Sequence, residues 1–309
     1  AANAVTRLVE KEKVVAIIGS SISGNTMAGG PIAEKAGVPI ISPTATNPLV
    51  TQGKKYIFRV CFIDPFQGEM AAKYAYETLK KRKAALIIDK AQDYCVGLAD
   101  FFEKSFTKLG GQIVAKTYCQ TGDKDFTAQL SAIKAKNPDV LYMPNYYTEV
   151  ALAMKQAKDL GLNLPVLSGD GAQDKALIDI GKQYVEGLML TGHFEKAAAN
   201  TDLAKKFIPL YEKKFGKVGT FDVMGADAYF VLADAIERAK STDGAKIRAA
   251  LASTKSFKGI SGTMTIGEDG NAIKSLVIVQ VRGGDFKYVA TVEPAGAKPE
   301  PKKAAPKKK

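Results

Sequence analysis

The sequence predicts an α/β protein built on parallel sheets, and three observations lead there. Short apolar runs recur at intervals of roughly 24 to 28 residues. The segments between them place apolar residues three and four apart, the spacing of one helix face. Glycines stand where those helices must end. Strands alternating with amphipathic helices are joined by right-handed crossovers into parallel sheets.

In chain order, AANAVTRLVEKEKV reads as the last turns of an amphipathic helix with Val5, Leu8 and Val9 on one face. No capping residue precedes it. Apolar strands are predicted at 14–18 and 38–41, with an inserted one at 57–60. Asp64-Pro65 then starts a helix, Asp64 as N-cap and Pro65 at the first helical position. Phe66, Met70 and Tyr74 follow at spacing four. Strand 84–88 leads to a helix marked by Leu98, Phe102 and Phe106, which Gly110-Gly111 closes. Strand 112–117 precedes a helix carrying Phe126, Leu130 and Ile133. Strands 140–143 and 166–167 flank a helix that ends at Gly161. After Met189 the rhythm changes to helices near 202–215, 223–240 and 245–252. The β-rich runs 263–266 and 275–281 then face each other across Glu268-Asp269-Gly270-Asn271, a hairpin signal. These closing elements return to cover an existing sheet, so a discontinuous domain is expected. A doubly wound domain that enters on a helix lacks its first strand, so an N-terminally truncated chain is expected.

At 309 residues the chain can hold two domains. No apolar run approaches the roughly 18 residues of a membrane span. The net charge of +12 suggests a nucleic-acid partner, but its distribution argues against one. The tail PAGAKPEPKKAAPKKK holds six lysines and one glutamate, or +5, leaving +7 for the rest. It lacks the apolar residues needed to fold, so a disordered tail is expected over 291–309. Cys61, Cys95 and Cys119 have no metal-ligand spacing. With one histidine, His193, no Ser/His/Asp set is arguable, and no zinc cluster or G-x-S-x-G elbow is present. Neither a Walker A loop nor a G-x-G-x-x-G fingerprint occurs. Composition and motifs favour a binding module over an enzyme.

Candidate binding groups gather where strands end, which is where such sheets bind ligands. Gly19-Ser20-Ser21-Ile22-Ser23-Gly24-Asn25 follows a strand and opens a helix, so N–H groups and serine hydroxyls can receive a carboxylate or phosphate. Serines also cap helices for purely structural reasons, which is the alternative for any one of them. Thr44-Ala45-Thr46 lies one βα unit later, where its hydroxyls can converge with the first loop. Asp170 ends a later strand and suits the ammonium of a zwitterion, or else caps a turn. Tyr94 and Tyr146 each follow a strand and precede a helix, placed to close over a ligand or simply to pack.

Longer stretches carry a resemblance: VPIISPTATNPLVTQ, FRVCFIDPFQG, AALIIDKAQDYCVGLADFFEKSF, DKDFTAQLSAIKAKNPDVLYMPNYYTEVALAMKQAKDLGL and GTMTIGEDGN. In this order they resemble the type I periplasmic binding proteins, specifically the leucine/isoleucine/valine-binding branch that serves ABC transporters. The resemblance implies two doubly wound parallel-sheet lobes joined by three crossings. Lobe one would comprise 1–63 and 193–273, and lobe two 64–192 and 274–290. The crossings would fall at Asp64, near His193 and near Ile273. It implies ligand contacts at Ser21, Ile22, Ser23, Thr44, Ala45, Thr46, Asp64, Tyr94, Tyr146 and Asp170. The first-lobe hydroxyls would take an α-carboxylate, Asp170 the ammonium, and the two tyrosines would shut the cleft.

The implied protein is a monomer without catalytic activity, cofactor, metal or nucleic acid. It would hand a branched-chain or other small L-amino acid to an ABC permease, in the periplasm or outside the cell, with a lipid tether among the family's arrangements. A ligand-sensing domain, or a binder of small amides or carboxylates, is the alternative. Three departures stand out. The family's opening strand–helix–strand has no counterpart, Ile22 replaces a disulfide cysteine of some relatives, and Asp170 replaces a glutamate. That last change draws the carboxylate back by about 1.5 Å.

Overall fold

The computed structural model describes residues 1–294. Helix α1 (Ala2–Glu10) and helix α2 (Ser23–Ala36) cover one face of a parallel sheet of order β1-β2-β3, formed by Ile17–Ile18, Ile40–Ser42 and Ile57–Arg59. Val5, Leu8 and Val9 pack against Ile17, Ile40 and Ile57, so the predicted helix face is the one that meets the sheet. Strand β1 is shorter than the predicted 14–18. It pairs only with β2 among the described residues, and Val15 stands exposed.

A second parallel array follows. Helix α3 (Asp64–Lys73), β4 (Lys83–Asp89), α4 (Asp93–Lys108), β5 (Gln112–Cys119), α5 (Thr127–Lys134), β6 (Val140–Met143), α6 (Tyr147–Asp159), β7 (Val166–Ser168), α7 (Lys175–Gly181) and β8 (Met189–Gly192) succeed one another. Strand β4 shows why these strands read as unbroken apolar runs: it is buried on both faces. Ala85 and Ile87 enter a core with Phe126, Leu130 and Ile133 of the α5 segment. Ala84, Leu86 and Ile88 enter the opposite core with Leu98, Phe102 and Phe106 of α4. Phe102 is fully buried and stacks on Tyr142 with ring centroids 3.9 Å apart. Gly110 and Gly161 take φ of +96° and +70° just past α4 and α6, and so end those helices as predicted.

Helices α8 (Asp202–Phe215), α9 (Thr220–Ala239) and α10 (Gly244–Ala252) precede a small antiparallel sheet of β9 (Phe257–Gly259), β10 (Gly262–Ile266) and β11 (Ala272–Ile273). Met224, Val231 and Ile247 of these helices share a core with Ile41 and Phe58, so this portion covers the other face of β1-β2-β3. Strands β12 (Leu276–Val281) and β13 (Phe286–Val292) then join the large sheet, giving seven strands in the order β13-β12-β8-β7-β6-β4-β5. The chain thus passes between the two groups of elements at Asp64, after β8, and between β11 and β12.

Two expectations are corrected here. The hairpin across the Asp-Gly turn closes with β11 alone, pairing Thr265 with Ile273 and Ile266 with Ala272. The run 275–281 leaves instead to pair antiparallel with β8 and β13. Its apolar residues explain this, because Val277, Val279 and Val281 enter one core of the large sheet while Leu276 and Ile278 enter the other. Asp64 is also not an N-cap. It is the first residue of α3, Ile63 holds the cap position, and the Asp64 carboxylate accepts from the Gln67 side chain. Strand β13 continues to Val292, and the lysine-rich segment 295–309 lies outside the described residues.

Candidate functional site

The loops after β1 and β2 are tied together by their own hydroxyls. Ser42 Oγ donates to the Ser20 carbonyl at 2.6 Å and Thr44 Oγ1 donates to the Ser21 carbonyl at 3.0 Å. Ser23 Oγ accepts from the Asn47 backbone at 3.2 Å. Helix α2 has no side-chain cap hydrogen bond, and the Asp93 carboxylate stands beside its first turn, 3.1 Å from where a Cβ on Gly24 would lie. Beneath the second loop, Arg59 is fully buried. Its Nη1 donates to the Ala45 and Asn47 carbonyls at 2.6 and 2.9 Å, and Nη2 to Thr51 Oγ1 at 3.0 Å. Burial lowers its pKa from the ordinary guanidinium value. This cation fixes the backbone that presents Thr44.

The opposite wall comes from the seven-stranded sheet. Asp170 follows β7 in a short 3-10 turn and caps nothing with its side chain. Tyr94, in the first turn of α4, donates to Asp170 Oδ1 at 2.9 Å and accepts from the Gly171 backbone at 3.1 Å. Tyr94 and Tyr146 stack with centroids 5.4 Å apart. A Cβ on Gly169 would lie 2.4 Å from the Tyr94 hydroxyl, so a glycine beside Asp170 is what lets the tyrosine reach it. On its other oxygen, Oδ2, Asp170 meets His193 Nε2 at 2.9 Å. Gln67 holds the backbone, accepting from Asp170 N at 2.9 Å and Thr191 Oγ1 at 2.8 Å.

The two walls enclose a cleft of about 210 Å³, open mouth included, lined by Ser21, Ser23 and Thr44 on one side and Tyr94, Tyr146, Asp170 and Gly171 on the other. Phe221, from the start of α9, completes it. A carboxylate accepts about four hydrogen bonds, and Asp170 has two engaged. Hydroxyls with a helix N-terminus on one wall and a buried carboxylate on the other offer complementary poles for a small zwitterion.

Six of the ten predicted site residues thus meet at the cleft, and four stand apart from its lining. Ile22 is exposed, while Ala45 and Thr46 are fully buried. Asp64 is fully buried as well, near Asp170. Burial, reinforced by the Asp170 charge, raises the Asp64 carboxyl to about 8. The Thr46 hydroxyl opposes that rise, although neither Thr46 Oγ1 nor Asp64 Oδ2 meets a partner in hydrogen-bonding geometry. Among the described residues no cluster of His, Cys, Asp or Glu could hold a metal ion.

The sequence profile of the periplasmic binding protein family matches residues 1–285. The chain belongs to that family. A leucine binding protein from Thermotoga maritima has 47% identity and a TM-score of 0.93, over 95% of this chain and 84% of that one. A branched-chain amino acid transporter substrate binding protein from Streptococcus pneumoniae, solved with isoleucine, has 32% identity and a TM-score of 0.89, over 95% and 83%. The Leu/Ile/Val-binding protein homolog 3 of Brucella melitensis is 32% identical over 82% of this chain and 69% of its own length. The match to a Pseudomonas aeruginosa amino acid binding protein covers 50% of that protein's length. The predicted type I periplasmic binding protein fold is therefore shown, as is the leucine/isoleucine/valine-binding branch.

Sequence reasoning missed His193, Gln67 and Phe221 as parts of the site. Gln67 had a signal, since it lies one helical turn from Asp64. His193 stands in the sequence only as the lone histidine and as a residue near a crossing, and Phe221 gives no local sign that its helix starts at the cleft.

Proposed function

We propose that this chain is an extracytoplasmic substrate-binding protein that captures a branched-chain or other small L-amino acid and delivers it to an ABC permease. One lobe comprises 1–63 and 193–273, the other 64–192 and 274–290, and the ligand sits between them. The observation that carries this reading is the meeting of Ser21, Ser23 and Thr44 from the β1-β2-β3 side with Asp170, Tyr94 and Tyr146 from the seven-stranded side. The ligand's α-carboxylate faces the α2 N-terminus and the hydroxyls. Its ammonium faces Asp170, and the stacked tyrosines close over it. Ala45, Thr46 and Asp64 act from behind this surface, shaping it rather than touching the ligand. The protein works as a monomer, without catalysis, cofactor or nucleic acid, and lobe closure is what the permease reads.

Thermal unfolding against the twenty L-amino acids, small amides and carboxylates tests this reading. A ligand at 100 times its Kd adds about 2.7 kcal/mol, a rise of several degrees. Selective stabilisation by one or a few aliphatic amino acids is the expected result. A cooperative transition that no amino acid moves would refute the reading.

A further inference from the structure

We propose that His193 is a positioning residue for ligand binding: its neutral ring holds the Asp170 carboxylate from behind while leaving that carboxylate's negative charge for the ligand's ammonium group. This rests on the amino-acid-binding reading above and adds to it a residue and a proton linkage.

The geometry decides the tautomer. Ionised Asp170 can only accept, so the 2.9 Å contact with Oδ2 places the ring proton on Nε2. His193 is buried, and its Nδ1 has no hydrogen-bond partner among the described residues. A second proton would create a buried charge and a donor with nothing to accept it, which costs more than an idle lone pair. Phe62 lies against the ring with centroids 4.0 Å apart and fixes its plane. The charged and titratable groups around this pair come from every neighbouring element. Asp170 follows β7, Lys274 lies between β11 and β12, Cys61 precedes α3 and Asp64 opens it, and Tyr94 reaches Asp170 from α4. Burial and Lys274 push the imidazole down while Asp170 pulls it up, and the net displacement is downward from 6.5. Asp64, raised to about 8, is mostly uncharged at pH 7 and adds little pull. Near neutrality, then, Tyr94 and His193 grip one carboxylate oxygen each without cancelling its charge. On acidification, an imidazolium at His193 would compete with the ammonium for Asp170. Linkage makes this reciprocal: the ligand must lower the His193 pKa by the factor by which protonation weakens binding.

His193 is the only histidine in the chain, so imidazole ¹⁵N NMR reports on it alone. The expected spectrum shows the Nε2–H tautomer, with a pKa below 6.5 that falls further when L-leucine is added. Calorimetric titration of L-leucine should show affinity falling as pH is lowered from 8 to 5 through the same window, tenfold for each unit of that displacement. H193L, which lacks the donor, should bind L-leucine roughly tenfold or more weakly. It should leave 4-methylpentanoate, the same molecule without its ammonium, unaffected. H193Q restores an amide donor and should recover affinity relative to H193L, with the pH dependence flattened. A His193 pKa indifferent to L-leucine, an unaltered pH profile in H193Q, or equal losses for both ligands in H193L would overturn the proposal. A wild-type protein that binds L-leucine while giving those results leaves the amino-acid-binding reading standing. A wild-type protein that binds no amino acid overturns that reading, and the role of His193 with it.

Discussion

Replacing Asp64 by Asn removes a carboxyl that the fold holds in its protonated form. Asp64 is fully buried and its carboxyl is raised from 3.8 to about 8, by burial first and the Asp170 charge second. Between those values the native state keeps a proton that the unfolded chain has released. Stability therefore falls as pH rises through that window, by about 1.4 kcal/mol per unit from this group alone. From pH 5 to 7 the loss is about 2.7 kcal/mol, which for a chain of this size is about 4 °C in Tm. Asparagine keeps the shape of the neutral acid and an oxygen for Gln67 Nε2, which donates to Asp64 Oδ1 at 3.2 Å. D64N should gain on the wild type progressively as pH rises from 5 to 7, with the gap levelling above about 8. Scanning calorimetry at pH 5, 6, 7 and 8 reads this directly. Parallel curves for the two proteins would show that Asp64 is ionised in the native state and refute the reasoning. D170N provides a control: with the neighbouring charge gone, Asp64 should titrate lower and the slope should fade at a lower pH.

Three further outcomes are expected. D170N leaves a ligand ammonium facing a neutral amide, and L-leucine affinity measured by calorimetry should fall about 10- to 100-fold. G169A puts a methyl 2.4 Å from the Tyr94 hydroxyl, so the ring must leave Asp170, and L-leucine affinity should drop while the far-ultraviolet circular dichroism stays unchanged. D227A strips the carboxylate that accepts from the Ile260 and Ser261 backbones and leaves the buried Lys274 ammonium uncompensated. Urea unfolding should show a loss of about 3–5 kcal/mol, and D227A/K274M should recover part of it.

The regular elements were legible because burial on both sheet faces writes a local pattern. Ala84 to Ile88 had to be apolar throughout, and Leu98, Phe102 and Phe106 had to recur every four residues, wherever the rest of the chain went. The loops that carry Ser21, Thr44, Asp170, Tyr94 and Tyr146 were legible for a related reason: in a parallel sheet every strand's carboxyl end lies on the same side. The run 275–281 was misplaced because a buried strand looks the same whether it turns back on its neighbour or crosses to another sheet. The roles of Asp64 and His193 were out of reach for a deeper reason. Each depends on charges and hydrogen-bond partners more than twenty residues away, Asp170 for both and Lys274 for His193, and local sequence does not encode through-space distance. Sequence alone thus determined the α/β class, the order of its elements and the polar chemistry of the cleft loops, because these follow from periodicity and from residue type at strand ends. Tertiary structure decided which sheet received the last strands, which hydroxyls line the cleft, and which buried groups carry charge, because solvent exclusion and proximity exist only once the chain has closed on itself.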